Sequence, residues 1–367
     1  MGARIVRLAG LVRAGTLAVV LLAAHASAQP IGGLRDDLIT KITALSSAET
    51  DEIRQFTEPR LVALAGEDAA ARERARAELV ASLRRPGVSV AFRQAYRGVM
   101  LDRLTPLASD ARDEVAINAL LILGELADDA AARVVMERTG DDRQTVRYAA
   151  IAALTTSFRA ARDQAPALTP ATAGRIVDHL GERLRTERDA WTADAVARSL
   201  IAAGSIGRAE FAPSAQNAWV ALAEGVGDRL YAAQPGPERR IALLTAMRAG
   251  EAMRDAITTP AGIGDRATRA AASLGGETIG FVARLLERGE LASGERRFET
   301  DLVNVGENLV FFSRQKLLPN PPQQTRLADT LGAGQDSDYR NTARRLVAEL
   351  TQPPVSMPQN RATRWFN

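Results

Sequence analysis

The feature that most constrains this chain is a short pattern that occurs twice. Asp113-Glu114-Val115-Ala116-Ile117-Asn118-Ala119-Leu120-Leu121-Ile122-Leu123-Gly124 aligns with Gln144-Thr145-Val146-Arg147-Tyr148-Ala149-Ala150-Ile151-Ala152-Ala153-Leu154-Thr155. Val115 falls on Val146, an offset of 31 residues. Self-similarity at that period marks stacked helical units, each too small to bury its own apolar face. Such a chain gains its core by laying unit upon unit.

The second copy shows how one unit is built. Asp141 or Asp142 stands where a side-chain oxygen can cap the first free amides of a helix, an arrangement typically worth about 1 kcal/mol. Val146, Ala149, Ala150, Ala153 and Leu154 then fall at i, i+3, i+4, i+7 and i+8 on one face, with Arg143 and Arg147 beside it. Small side chains dominate that face, so a neighbouring helix can approach closely.

The run Asp142-x-x-x-Val146-Arg147-x-x-Ala150-x-x-Ala153-Leu154 resembles the HEAT-like (armadillo-type) helical repeat family. The resemblance implies an all-α fold, an α-α superhelix, with Val115, Leu123, Asp142, Val146, Ala150, Ala153 and Leu154 at structural repeat positions. It also implies that residues such as Asp142 and Arg147 bridge neighbouring repeats. The first copy has Ala116 where the second has Arg147, which interrupts any continuous ladder. Ala190 to Leu200, with Trp191 near its start, keeps a small-residue face without the Val-Arg pair. Asp68 to Leu83 offers another degenerate copy through Ala71, Ala75, Leu79 and Leu83.

Helical periodicity extends along most of the chain, and no alternating run argues for a strand. Helices are predicted near 34–46, 49–65, 68–84, 88–105, 112–127, 130–138, 142–158, 170–186, 188–204 and 214–224. Further helices are predicted near 237–257, 264–274, 276–288, 296–313, 323–332 and 337–351. Breakers separate them at Arg85-Pro86-Gly87, Gly140-Asp141-Asp142 and Gln234-Pro235-Gly236-Pro237. The expected organisation is a repeat region over 29–234, then a helical continuation or cap over 235–351. A segment with three prolines, 352–367, is expected to be an extended tail.

The first residues form a separate device. Arg4, Arg7 and Arg13 precede an apolar run from Ala14 to Ala24, and Ala26-Ser27-Ala28 makes a small-residue cleavage site. This is the layout of a secretory signal peptide, spanning 1–28 and cleaved after Ala28. The run is too short to cross a bilayer, which takes about 20 residues. No stable membrane anchor is expected after cleavage, and the protein is expected to be periplasmic or secreted.

Cleavage changes the charge argument. Losing those three arginines leaves 44 of the 47 basic residues against 44 acidic ones. A neutral chain lacks the clustered basic face that nucleic acid requires, so no nucleic-acid partner is expected. The chain has no cysteine, and after cleavage His179 is its single histidine. Zinc takes several His or Cys ligands, so neither a metal nor any other cofactor is expected.

Catalytic motifs are equally thin. Ala203-Gly204-Ser205-Ile206-Gly207 lacks the first glycine of a nucleophile elbow and follows a helix. Gly262-Ile263-Gly264-Asp265 follows no strand, so it opens no dinucleotide-binding fingerprint. The acidic pairs, among them Asp113-Glu114, Asp128-Asp129 and Asp141-Asp142, stand mostly at helix starts, where capping and the helix dipole account for them.

Two groups remain as binding candidates. Arg112, Arg143 and Arg147 either line one surface of the stack or tie its repeats together. Arg361, Arg364, Trp365 and Phe366 either dock into a partner's groove or tuck onto the protein's own last helices. The expected function is a non-catalytic binding or scaffolding solenoid that presents an extended surface to a protein or cell-envelope component. The alternatives are a carboxylate-dependent hydrolase of envelope polymers and an accessory subunit of an exported enzyme.

Overall fold

A computed structural model describes residues 33–164, 167–260, 262–291 and 296–366, and the expected signal peptide and its cleavage site lie outside them. The described residues form sixteen α-helices and no β-strand. One layer consists of α3 (Ala69–Leu83), α5 (Asp113–Leu126), α7 (Gln144–Asp163), α9 (Ala190–Gly204), α11 (Pro237–Thr258) and α13 (Arg296–Leu317). The other consists of α2 (Ser47–Ala65), α4 (Val90–Leu107), α6 (Asp129–Arg138), α8 (Pro170–Thr186), α10 (Ala212–Ala232), α12 (Asp265–Glu287) and α15 (Asp336–Leu350). Each helix packs on the next of its own layer as well as on the layer opposite. That double adjacency makes the protein an all-α solenoid.

The helix starts follow their local chemistry. Ser46 and Glu49 form a reciprocal capping box at α2, and Asp68, Asp128, Thr169 and Asp189 each cap the helix that follows. Helix α7 differs from expectation. It begins at Gln144, and Asp141 accepts from the Arg143 amide at 3.0 Å just ahead of the helix. Asp142 is exposed and contributes only its carbonyl to a neighbour.

Between the layers, Val115, Leu123, Val146, Ala150, Ala153 and Leu154 are fully buried. Helices α5 and α7 cross closely because Gly124 has no side chain. A Cβ there would lie 2.6 Å from the carbonyl oxygen of Ala153. The hydroxyl of Ser157 donates to the Gly124 carbonyl at 2.9 Å across the same crossing.

Beyond residue 234 the ladder continues unbroken. Helix α11 packs on α9, α12 on α10, and α13 on α11. Three segments differ from the sequence reading. The first predicted helix shrinks to α1 (Asp36–Ile39), because the chain must turn to bring Ser46 to the start of α2. The two helices expected around Gly275-Gly276 are one, α12, in which Gly275 admits the backbone of α13 and Gly276 the side chain of Leu350. The expected extended tail is folded. After α14 (Leu327–Gly332) and α15, the chain makes α16 (Gln359–Thr363), which packs on α12 and α15 and buries Val355, Met357, Ala362 and Trp365.

Candidate functional site

The arginine series is a set of ties between successive repeats. Asp110-Ala111-Arg112 and Asp141-Asp142-Arg143 share one geometry, 31 residues apart. In each, the aspartate accepts from the arginine amide, at 2.8 and 3.0 Å, and from its Nε at 3.0 Å. That bracing aims the guanidinium at the preceding repeat. Arg112 donates to the Ala65 carbonyl at 3.0 Å and pairs with Glu67. Arg143 donates to the carbonyls of Asp110 and Ala111, at 2.9 and 3.1 Å, and pairs with Asp113.

Arg147 donates to the carbonyls of Asp141 and Asp142 and pairs forward with the buried Glu187 at 3.3 Å. Arg183 holds the same carboxylate at 2.6 Å, and Arg229 donates to the Glu187 carbonyl. The Arg112 guanidinium holds the Asp110 carboxyl at about 2, and Arg143 lowers Asp141 in the same way. The sequence carried a signal for this brace, the Asp-x-Arg triplet repeated at the period. Alignment on the apolar positions passed over it.

The C-terminal candidates are also internal. Trp365 is fully buried, set edge-on to Phe281 and Tyr231 with ring centroids 6.0 and 5.6 Å away. The guanidiniums of Arg284 and Arg364 lie 4.8 and 5.1 Å from its ring. Arg361 and Arg364 both pair with Glu277, which is wholly buried, and with Asp228. Phe366 packs at the edge of the core, with the Arg344 guanidinium 5.5 Å from its ring. Burial pushes the Glu277 carboxyl up from its ordinary range, against the pull of the two arginines.

His179 is half-buried, its Nε2 2.6 Å from the Thr139 hydroxyl, and burial with the nearby Arg183 lowers its pKa. Asp129 accepts from the amide of Thr169, and Asp113 from the Thr145 hydroxyl. The two glycine motifs meet at one groove of about 1000 Å³ over Trp219. Its cations are engaged, Lys316 by the Ile263 carbonyl and Arg208 by Glu210 and the Gln164 carbonyl, and its Ser205 hydroxyl donates to the Ile201 carbonyl.

Ile42, Val62 and Tyr231 are exposed elsewhere, and three further large apolar side chains stand open on α7, α9 and α11. Trp191 on α9 is 57% exposed, Tyr148 on α7 37% and Leu244 on α11 38%. Trp191, Asp194 and Arg198 follow at helical spacing, as do Arg240, Leu244 and Arg248, so each trio shares a stripe. A polar ladder links the three helices. The Arg198 guanidinium donates to the Tyr148 hydroxyl at 2.8 Å and pairs with Asp194 at 3.1 Å. From α11, Arg248 pairs with Asp194, and the Thr245 hydroxyl donates to it at 2.8 Å. The buried carboxylate thus fixes two half-exposed arginines among exposed apolar side chains. Tyr148 and Trp191 stand within the repeat-like segments but off their small-residue faces, a signal that the alignment did not use.

No family model and no curated protein matches the chain. Among solved structures it is similar to two engineered proteins from the Northeast Structural Genomics Consortium. The first is 15% identical, with a TM-score of 0.39, covering 72% of this chain and 97% of the other. The second is also 15% identical, with a TM-score of 0.31, covering 84% and 98%.

Proposed function

We propose that the protein is an exported, non-catalytic solenoid of HEAT-like repeats that binds a protein in the cell envelope or scaffolds an assembly there. The observation that carries this reading is the face on α7, α9 and α11, where Tyr148, Trp191 and Leu244 stand exposed around paired arginines. Aromatic and arginine side chains are the usual anchors of protein interfaces. Holding them on three packed helices keeps the entropic cost of ordering them low. Export rests on the targeting pattern of residues 1–28. Among the described residues no helix is long and apolar enough to cross a membrane.

The experiment compares capture from envelope extract by the wild-type protein and by a Trp191→Ala, Leu244→Ala variant. A binding solenoid loses a specific partner in that variant while its helical circular dichroism is unchanged. Turnover of an envelope polymer that depends on one carboxylate would instead establish the hydrolase.

A further inference from the structure

We infer that the face on α7, α9 and α11 recognises an acidic segment of a partner protein, whose carboxylates meet Arg240 and Arg248 while an adjoining apolar side chain covers Trp191. This rests on the reading of that face as the recognition surface and adds the chemistry of what it takes. Positive charge on this face exceeds negative. Arg198 and Arg248 share a single carboxylate, Asp194, whose side chain is 6% exposed, while theirs are 39% and 45% exposed. Asp194 also accepts from Thr245, so its two oxygens are fully engaged from below.

Arg240, one turn before Leu244 on the same stripe, is exposed and makes no ion pair among the described residues. The nearest acids do not redress the balance. Helix α7 carries no acidic residue before Asp163, and Asp194 is the only one within α9. On α11, Glu238 bears on Arg229, away from this stripe, and Glu251, three residues after Arg248, is exposed and makes no ion pair with it. Two guanidiniums therefore share one buried carboxylate, and a third, Arg240, stands unpaired two turns before Arg248 on the same stripe, on the face that carries a more than half-exposed indole. A partner carboxylate gains paired, oriented donors there without displacing an existing ion pair, because Arg240 is unpaired and Arg248 keeps exposed N–H groups.

The test is selection from a displayed random peptide library on the purified wild-type protein, with the selected peptides then measured against variants. Peptides whose binding is lost with Trp191→Ala are expected to be rich in Asp and Glu beside an apolar residue. Their affinity should fall about tenfold in Arg240→Gln and weaken steeply with added salt. Arg240 is exposed and makes no hydrogen bond or ion pair among the described residues, and in Arg248→Gln the Asp194 carboxylate keeps Arg198 and Thr245, so both variants should stay folded. If the Trp191-dependent peptides are neutral or basic, or Arg240→Gln leaves their affinity unchanged, the acidic partner is wrong and the face survives as a recognition surface. If no selected peptide depends on Trp191, the face itself is wrong, and this inference falls with it.

Discussion

Gly275 and Gly306 pack backbone to backbone where α12 crosses α13. A Cβ on Gly275 would lie 2.6 Å from the Gly306 carbonyl oxygen, and one on Gly306 would lie 3.0 Å from the Gly275 oxygen. The obstacle in each direction is main chain, which cannot rotate aside. Gly275→Ala is therefore expected to destabilise the protein by about 1–3 kcal/mol through overpacking. Gly98, on the exposed side of α4, has nothing within 4 Å of its absent Cβ. Gly98→Ala should add about 0.5–1 kcal/mol from helix propensity. Chemical denaturation of the two variants should thus move the midpoint in opposite directions.

The ties between repeats set a second expectation. Arg143 joins three groups across one repeat boundary while Asp141 braces it from its own side, and its side chain is 29% exposed. With its solvent screening taken into account, Arg143→Ala should cost about 1 kcal/mol. Leu154→Ala, at a fully buried position, should cost about 2–5 kcal/mol. Equal midpoints for Arg143→Ala and wild type would mean that the brace adds nothing to stability.

These contacts show which parts of the structure were legible in the sequence. The apolar stripe of α7 reads directly, because its residues recur at helical spacing and local period determines which face is buried. The continuity of α12 does not read, since a Gly-Gly pair signals a break until the backbone of α13 is seen beside it. The burial of Trp365 was equally hidden. Its segment holds Pro353, Pro354 and Pro358, and the partners of its neighbours, Glu277 and Asp228, lie more than eighty residues away. The proposed recognition face draws on three helices, and no local pattern announces that their stripes meet.

The C-terminal segment yields a third expectation. Trp365→Ala should cost about 3–5 kcal/mol, as for a large buried aromatic. Trp365→Phe should cost less than Trp365→Ala, since a ring still fills most of the site and the indole N–H has no hydrogen-bond partner to lose. Deleting residues 361–367 should lower the melting temperature, and an unchanged melt would show that this segment adds nothing to the core.

Acid should unfold the protein in a defined window. Arg112 holds Asp110 at about 2, against an ordinary 3.8, and Lys41 holds Glu49 at about 2, against 4.5. A depressed carboxylate stabilises the fold above its unfolded pKa, and that stability is lost as pH falls toward the folded value. Burial raises Glu277 and Glu307, so their contribution has the opposite sign and favours the fold as pH drops toward 4.5. The melting temperature should therefore hold or rise slightly down to about pH 4.5 and fall between there and about pH 2. Asp110→Asn should melt earlier at neutral pH and lose less in that window. A wild-type melt that is flat down to pH 2 would contradict the assignment.

The α7–α9–α11 face is proposed to meet a partner. A photo-crosslinking benzoyl-phenylalanine placed at position 191, in cells that make the protein natively, tests it most directly. A second probe at Arg185, exposed on α8 in the opposite layer, serves as the control. The expected result is a discrete crosslinked protein from position 191 that is absent from 185 and weakened by Arg240→Gln. Equal adducts from both positions, or none from 191 while 185 captures a specific protein, would contradict it.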